Sequence, residues 1–254
     1  MPKGPNVHPT AIVDPRAELA ADVAIGPYAI VGAGVALGPG CVLHAHAIVR
    51  GPTSLGPRCV VHPFAVIGGE PQAKRHAGGP APVEAGEDNV FREHVTVHGG
   101  TEGRRTRIGS GNLFMVASHV AHDVTVGSSC VFANGVQLAG HAVVQDAVTF
   151  GGLSGVTQFV RVGEAAFVAA LTACERDVPP FVVVQGNRAR VRGVNVVGLR
   201  RRGVPEPSIR ALGRAVRRLF LSRVPRVQAI AQLEGDEDAY VRRLVEAVRK
   251  HEGS

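Results

Sequence analysis

The sequence contains no tryptophan, and aromatic residues make up only 4% of its 254 residues. Its four cysteines show no Cys-x-x-Cys spacing, which argues against a disulfide framework and against a cysteine zinc site. No apolar run is long enough to span a bilayer, and the N-terminus lacks a charged-then-apolar signal region. These absences predict reduced thiols and a cytoplasmic protein without stable membrane insertion.

The dominant feature of the chain is a period of six residues. An aliphatic or aromatic residue opens each unit, and a small residue follows four places later. A 3.6-residue helix cannot keep such a period on one face, whereas a hexapeptide period is typical of a parallel β-helix with three hexads per coil. The openers are Val7, Val13, Leu19, Ile25, Val31, Leu37, Leu43, Val49, Leu55, Val61, Ile67, Ile108, Phe114, Val120, Val126, Phe132, Leu138, Val144, Phe150, Val156, Val162 and Val168.

Two segments rich in glycine break the period, at residues 68–82 and 99–107, and we expect them to leave the rod as loops. From about Pro207 the apolar spacing becomes helical, and two shorter helices follow at roughly 226–233 and 236–250. The sequence therefore predicts an all-β solenoid, a parallel β-helix over residues 1–190, and a C-terminal α-helical domain over residues 191–254.

Two histidines and an acid lie on adjacent repeats. His119 ends one hexad, His122 and Asp123 lie in the next, and the period stacks His141 beside the His122 corner. Imidazole accepts a proton near neutral pH, and an adjacent carboxylate can orient it, so this group suits general base chemistry. The Gly140 N–H could face a developing oxyanion. The alternative is that all of them are outward-facing, solvated turn residues.

A zinc site is a second chemical interpretation of the same region. Three imidazoles can hold a catalytic zinc ion, particularly between neighbouring rods, as in bacterial carbonic anhydrases built on hexapeptide repeats. Those enzymes lack the helical cap and the Gln-Gly-Asn segment present here, so we expect no metal. The candidate ligands are His94, His98, His119, His122 and His141.

An ordered series of motifs resembles the UDP-N-acetylglucosamine O-acyltransferase family over roughly residues 7–218. A hexapeptide repeat alone is unspecific, but the series as a whole is specific. The matching pieces are Val7 to Ala11, Val95 to Thr101, Ser118 to Asp123, Leu138 to His141, Gln158-Phe159, Asp177 to Pro180, Gln185 to Asn187, Gly193 to Asn195 and Leu199 to Gly203.

The resemblance implies a homotrimer of left-handed parallel β-helices with active sites between subunits. It implies transfer of a (3-hydroxy)fatty acyl group from acyl carrier protein to the 3-hydroxyl of UDP-N-acetylglucosamine, the first step of lipid A biosynthesis. No cofactor is implied. His122 would be the general base, Asp123 its orienter and Gly140 the oxyanion donor.

The same resemblance implies a set of substrate-binding residues. His119, His141 and Gln158 would hold the sugar and acyl groups, and Asn195 and Arg201 would contact the nucleotide or the carrier. Three further positions complete the set: Arg75, His98 and, at the far end of the acyl groove, Ala170.

Several positions depart from the family pattern. Ala73 replaces an aspartate of the first loop, and Arg75 replaces a lysine. Thr157 stands in place of a histidine, and Val197 in place of a glutamate. Ala170 aligns with a smaller residue, which predicts a shorter acyl chain. The departures at Ala73 and Val197 keep open an acceptor that is a different UDP-amino sugar.

The chain carries a net charge of +7, and arginines recur at 200–202 and along the first predicted helix of the cap. Acyl carrier protein is strongly acidic, so a basic cap would attract it. No base-stacking aromatic residues interleave these arginines, which argues against nucleic acid. A non-catalytic scaffold is the remaining alternative, and an unaffected His122→Ala variant would favour it.

Overall fold

The computed structural model describes residues 4–74 and 76–251, and they form a parallel β-solenoid of about ten turns followed by helices. Each turn adds one short strand to each of three sheets, A, B and C. Sheet A contains β1 (Asn6–Val7), β4 (Ala24–Ile25), β7 (Val42–Leu43), β10 (Val60–Val61), β13 (Val90–Phe91), β16 (Leu113–Phe114), β19 (Val131–Phe132), β22 (Thr149–Phe150), β25 (Phe167–Val168), β27 (Val182–Gln185) and β28 (Arg190–Val194). Sheet B contains β2 (Ile12–Val13), β5 (Ile30–Val31), β8 (Ile48–Val49), β11 (Val66–Gly69), β14 (Thr96–His98), β17 (His119–Val120), β20 (Gln137–Leu138), β23 (Gly155–Val156) and β26 (Ala173–Cys174). Sheet C contains β3 (Glu18–Leu19), β6 (Val35–Leu37), β9 (Thr53–Leu55), β12 (Val83–Ala85), β15 (Thr106–Ile108), β18 (Thr125–Val126), β21 (Val143–Val144) and β24 (Arg161–Val162).

The hexad openers build the core, as the period predicts. Along sheet A, Phe114, Phe132 and Phe150 point inward and stack in sequence, with ring centroids 4.6 Å and 5.1 Å apart. Parallel pairing sets Val120 beside Leu138, eighteen residues later, so identical hexad positions meet on successive coils. The predicted left-handed parallel β-helix with a helical cap is confirmed.

Buried polar side chains form a ladder inside the rod. Asn112 Nδ2 donates to Asn89 Oδ1 at 2.9 Å and to the Gly127 carbonyl at 3.0 Å, and Asn112 Oδ1 accepts from the Cys130 N–H at 2.8 Å. These bonds satisfy backbone groups at turns that the strands leave unpaired. All four cysteines are buried and free.

Both breaks in the period fall between sheets B and C. The chain leaves the rod after β11 and returns at β12, then leaves after β14 and returns at β15. The two excursions are adjacent, because the Gly99 N–H donates to the Gly69 carbonyl and the Gly100 N–H to the Pro82 carbonyl. They therefore cover one edge of the rod together.

The C-terminal part begins with an antiparallel pair, β27 and β28, which the period does not predict. Among the described residues, four helices follow: α1 (Val196–Arg201), α2 (Glu206–Phe220), α3 (Arg226–Leu233) and α4 (Ala239–His251). The predicted division at residue 190 stays a prediction, since β28 crosses that position. No helix among the described residues is long and apolar enough to cross a membrane.

The helices pack onto the last coil of the rod. Arg243 in α4 pairs with Glu164 at 2.9 Å, and its guanidinium carbon lies 5.0 Å from the centre of the Phe181 ring. The apolar face of α2 is buried, including Leu212 and Val216, as the helical spacing predicts. The helical cap therefore covers the apolar end of the solenoid. Without it, another coil would be needed to cover the last one.

Candidate functional site

The candidate site lies at the B–C corner, defined here as the turns that follow β17, β20 and β23. Asp123 and His141 occupy the same position in successive turns, and both have φ of 62°. This left-handed conformation is uncommon for residues other than glycine, but here it bends the chain at the corner between sheet B and the next strand in sheet C. Asp123 therefore lies directly beside His141, one coil further along the rod.

Asp123 is the centre of the hydrogen-bond network. Its Oδ2 lies 2.8 Å from His122 Nδ1 and 3.5 Å from His141 Nε2. Thr101 donates its backbone N–H to Oδ1 at 2.9 Å and its hydroxyl to Oδ2 at 2.8 Å. Burial alone would raise the pKa of Asp123, but the bonds from His122 and Thr101 outweigh it and hold the pKa below its ordinary value. The group is a carboxylate at neutral pH.

The His122 imidazole is held in one orientation. Because a carboxylate only accepts hydrogen bonds, the proton of neutral His122 must lie on Nδ1, which leaves Nε2 as a proton acceptor. Nε2 has no hydrogen-bond partner among the described residues. The alternative that His122 is a solvated turn residue is wrong: the residue is 8% exposed, because Gly140 of the next coil packs against its ring.

Gly140 is close enough that only glycine fits. A methyl group at this position would lie 2.7 Å from Cε1 and 2.8 Å from Nε2 of His122. In the part of the chain that the structure describes, no acceptor takes the Gly140 N–H. Gly140 therefore packs against the imidazole and has a free backbone donor.

His119 lies in β17, rather than at a turn, and contacts His98 of the preceding coil edge-to-face at 5.0 Å. Its Nδ1 is 2.8 Å from the Thr96 hydroxyl oxygen. Burial, with smaller effects of His98 and His122, lowers the pKa of His119 to about 4. Burial and the neighbouring His122 also lower the pKa of His98. Both rings are neutral at neutral pH.

His141 lies between three partners. Its ring meets His122 edge-to-face at 5.2 Å and stacks on Phe159 at 4.6 Å. Arg104 Nη1 lies 3.2 Å from its Nδ1. Burial lowers the pKa of His141; the Asp123 carboxylate opposes this effect, and His122 and Arg104 add to it. A guanidinium only donates, so Nδ1 accepts and Nε2–H faces Asp123.

A cavity of about 420 Å³ opens in front of these groups on the outer face of sheet B. Its lining combines the predicted residues His119, His122, Gly140 and Gln158 with others. Gln72 enters from the first loop, and Gln137 lies on β20 directly beside His119. Sequence reasoning missed Gln137, although its outward hexad position, one coil after His119, could have identified it. The lining residues are Gln72, His119, Ala121, His122, Gln137, Leu138, Ala139, Gly140, Gly155, Val156, Thr157, Gln158 and Ala173.

Six predicted substrate-binding residues do not line this cavity: His98 and His141 contact the lining residues His119 and His122, and the other four lie further away or outside the described residues. Asn195 is 8% exposed, donates to the Ala165 carbonyl and caps helix α1 by accepting from the Gly198 N–H. Arg201 is exposed at the end of α1. Ala170 is exposed on the turn after β25, at the corner between sheets A and B. Arg75 lies outside the described residues.

His122, Asp123 and His141 also place three ligand atoms within 4.8 Å of one another, a set that zinc can bind. In the present geometry these atoms already bond to each other, since Asp123 Oδ2 accepts from His122 Nδ1. A zinc ion would have to displace the Nδ1 proton and enter a site where Arg104 contacts His141. The arrangement fits proton transfer better than metal ligation.

Comparison with known proteins identifies the family. The family described as UDP-N-acetylglucosamine O-acyltransferase, domain 2, matches residues 177–254. Acyl-[acyl-carrier-protein]–UDP-N-acetylglucosamine O-acyltransferase from Anaeromyxobacter dehalogenans is 50% identical over 232 residues, which are 91% of this chain and 90% of that protein. LpxA from Acinetobacter baumannii has a TM-score of 0.91 at 37% identity, covering 96% of both chains. LpxA from Bacteroides fragilis, a UDP-N-acetylglucosamine acyltransferase, has a TM-score of 0.94 at 28% identity, covering 97% of this chain and 98% of that one. The chain therefore belongs to the UDP-N-acetylglucosamine O-acyltransferase family.

Proposed function

We propose that this protein transfers a fatty acyl group, typically 3-hydroxylated, from acyl carrier protein to the 3-hydroxyl of UDP-N-acetylglucosamine, as in the first step of lipid A biosynthesis. The observation that carries the proposal is the His122 imidazole, anchored to Asp123 through Nδ1 at 2.8 Å and turned into the cavity with Nε2 unbonded. A fixed imidazole with a free acceptor nitrogen suits removal of a hydroxyl proton.

The reaction needs no covalent enzyme intermediate. His122 Nε2 takes the proton of the sugar 3-hydroxyl while the oxygen of that hydroxyl forms a bond to the thioester carbonyl carbon. The Gly140 N–H donates to the oxyanion that develops on the carbonyl oxygen. The carbon–sulfur bond then breaks. The carrier's thiolate takes the proton from His122 and leaves as a thiol. The Asp123 carboxylate stabilises the imidazolium that exists between the two transfers.

Neutral polar groups on the cavity wall suit a sugar and an acyl chain. His119, Gln158 and the unexpected Gln137 all line it, and we propose that they bind the acceptor and donor. His98 supports His119 from behind, and His141 supports the Asp123 network. We assign nucleotide or carrier contacts to Arg201 and to Asn195, whose amide must then leave the α1 cap, and a contact with the sugar or the acyl hydroxyl to Arg75.

A homotrimer is part of the proposal. Ala170 lies at the A–B corner and His122 at the B–C corner, so one rod does not bring them together. A neighbouring rod packed against sheet B would close the open side of the cavity. The exposed arginines of the cap, including Arg201, Arg210 and Arg214, would attract the acidic carrier. The protein would act in the cytoplasm, where that carrier is loaded.

Donor and acceptor selection follows from the departures in the first loop and the cavity. Ala73 offers no side-chain acceptor for a 3-hydroxyl, whereas Gln72 lines the cavity and carries an amide. A second UDP-amino sugar as acceptor remains the alternative within the family. Ala170 would limit the accepted acyl length.

The test uses purified protein, UDP-N-acetylglucosamine and a series of acyl carrier protein thioesters that differ in length and in the 3-hydroxyl. Mass spectrometry detects the product. A monoacylated sugar nucleotide that His122→Ala abolishes supports the proposal. His8→Ala, which removes an exposed histidine on the first coil, is the matched control and should retain activity. Absence of product with every donor contradicts the assigned acceptor, and product from another UDP-amino sugar would favour the alternative.

A further inference from the structure

The short excursion between β14 and β15 contacts the Asp123 carboxylate, although the two are far apart in the sequence. Thr101 is the residue that reaches it, with its backbone N–H 2.9 Å from Asp123 Oδ1 and its hydroxyl 2.8 Å from Asp123 Oδ2. One residue thus donates to both oxygens of the same carboxylate. Hydrogen bonds to an ionised acceptor are stronger than bonds between neutral groups.

The excursion is itself held firmly. Gly99 and Gly100 are tied by backbone bonds to the Gly69 and Pro82 carbonyls, and the Arg104 N–H donates to the Thr101 carbonyl. Side chains at the two glycines would collide with backbone atoms, at 1.9 Å from the Ala81 oxygen for Gly99 and 2.4 Å from Arg105 for Gly100. Thr101 is therefore placed by a compact backbone, and its position does not depend on its own side chain.

The Asp123 backbone is fixed by the strand that follows the excursion, since its N–H donates to the hydroxyl of Thr106 in β15 at 3.0 Å. With Oδ1 bound to the Thr101 backbone and Oδ2 shared by Thr101 and His122, the carboxylate plane cannot rotate without losing a bond. The Asp123 side chain is 3% exposed, so water does not easily replace a lost donor. The orientation of the carboxylate decides whether His122 Nδ1 keeps its partner.

Thr101 is absent from the lining of the cavity, and its hydrogen bonds run to Asp123 and to the Arg104 N–H. We propose that Thr101 is a positioning residue of the acyl transfer: it holds the Asp123 carboxylate so that His122 keeps its proton on Nδ1 and presents Nε2 to the acceptor hydroxyl. This inference rests on the function proposed above. Thr101 acts through Asp123 and is not itself a catalytic residue.

The test compares Thr101→Val, which keeps the shape and the backbone donor but loses the hydroxyl, with Thr101→Ser, which keeps the hydroxyl. For Thr101→Val we expect kcat to fall at least about tenfold, the size of a lost hydrogen bond to a charged group, with KM close to wild type. Thr101→Ser should restore most of kcat. Thr149→Val, an outward strand position on sheet A, is the matched control and should behave as wild type.

A second measurement does not need turnover. Nitrogen-15 NMR of labelled imidazoles, assigned with His122→Gln, reports which nitrogen of His122 carries the proton. We expect the Nδ1–H form in wild type and Thr101→Ser, and a mixture of both forms in Thr101→Val. Thr101→Ala serves in the same way if Thr101→Val does not fold.

Each of the following results would overturn the inference: wild-type kcat in Thr101→Val, a loss that Thr101→Ser does not rescue, or an unchanged His122 spectrum. A change confined to KM would also contradict it, because that would indicate direct contact with substrate. Failure of the proposed function is distinguishable, since the wild type would then make no product while the imidazole spectra still decide whether Thr101 controls His122.

Discussion

Replacing Gly140 by alanine tests the packing that places the general base. The added methyl group would lie 2.7 Å from Cε1 and 2.8 Å from Nε2 of His122. Ordinary contact begins at 3.4 Å, so the imidazole must move by about 0.7 Å or tilt away. It cannot do so freely, because Nδ1 is bonded to Asp123.

The size of the effect follows from that displacement. A catalytic group misplaced by about 1 Å can cost about 100-fold in rate, so we expect Gly140→Ala to lower kcat between about 10-fold and 100-fold. Overpacking of this kind also costs about 1–3 kcal/mol of stability. The methyl group would additionally narrow the path of a carbonyl oxygen to the N–H of residue 140.

The assay measures kcat and KM for acyl transfer together with the free energy of unfolding in urea. Gly152→Ala is the control, because its methyl group would lie 3.4 Å from the nearest atom, the Asn134 carbonyl oxygen, which is ordinary contact. We expect that control to keep both kcat and stability. Wild-type kcat in a folded Gly140→Ala protein would refute the reasoning, since the observed position of His122 would then be irrelevant to the reaction.

Three further predictions follow from the described contacts. Asn112→Ala should lower the free energy of unfolding by about 2–5 kcal/mol, because it leaves the Cys130 N–H and the Gly127 carbonyl unpaired inside the rod; an equal stability in urea would contradict this. The pKa of His119 is about 4 in the folded protein, against an ordinary 6.5. Between these pH values the unfolded chain binds more protons than the folded protein, so the free energy of unfolding should fall as pH falls from 6.5 to 4. His119→Gln should reduce the change in the free energy of unfolding over this pH range by about 1–3 kcal/mol. This is an upper bound, because the ring is partly exposed and solvent screens it. Chelation with EDTA should leave acyl transfer unchanged, and activity lost and then restored by zinc would favour the metal interpretation.

The fold was predictable because the hexad period is local. The hexad openers, such as Val120, must face inward in every coil. Parallel stacking follows because that requirement repeats every six residues. The same arithmetic brings His141 against His122, since three hexads return the chain to the same corner. The helical spacing of α2 likewise needed no tertiary information.

Features outside the period were not predicted. The antiparallel strand β28 and the short helix α1 lie where the repeat stops, and α1 depends on Asn195 as its cap and on Leu199 as its buried residue. An asparagine before a helix is a recognisable N-cap signal, whereas the family resemblance implies nucleotide contacts for Asn195. The side chain serves the fold in this structure.

The sequence by itself determined the solenoid, its helical cap, and the presence of His122, Asp123 and His141 at one corner. Only the tertiary structure decided that His122 is buried under Gly140 and that Thr101 binds both oxygens of Asp123. The reason is physical. Periodicity reports which face a residue occupies, whereas the burial of a ring and the partner of a carboxylate depend on how excursions from the rod fold back, and their glycine-rich backbones carry no period.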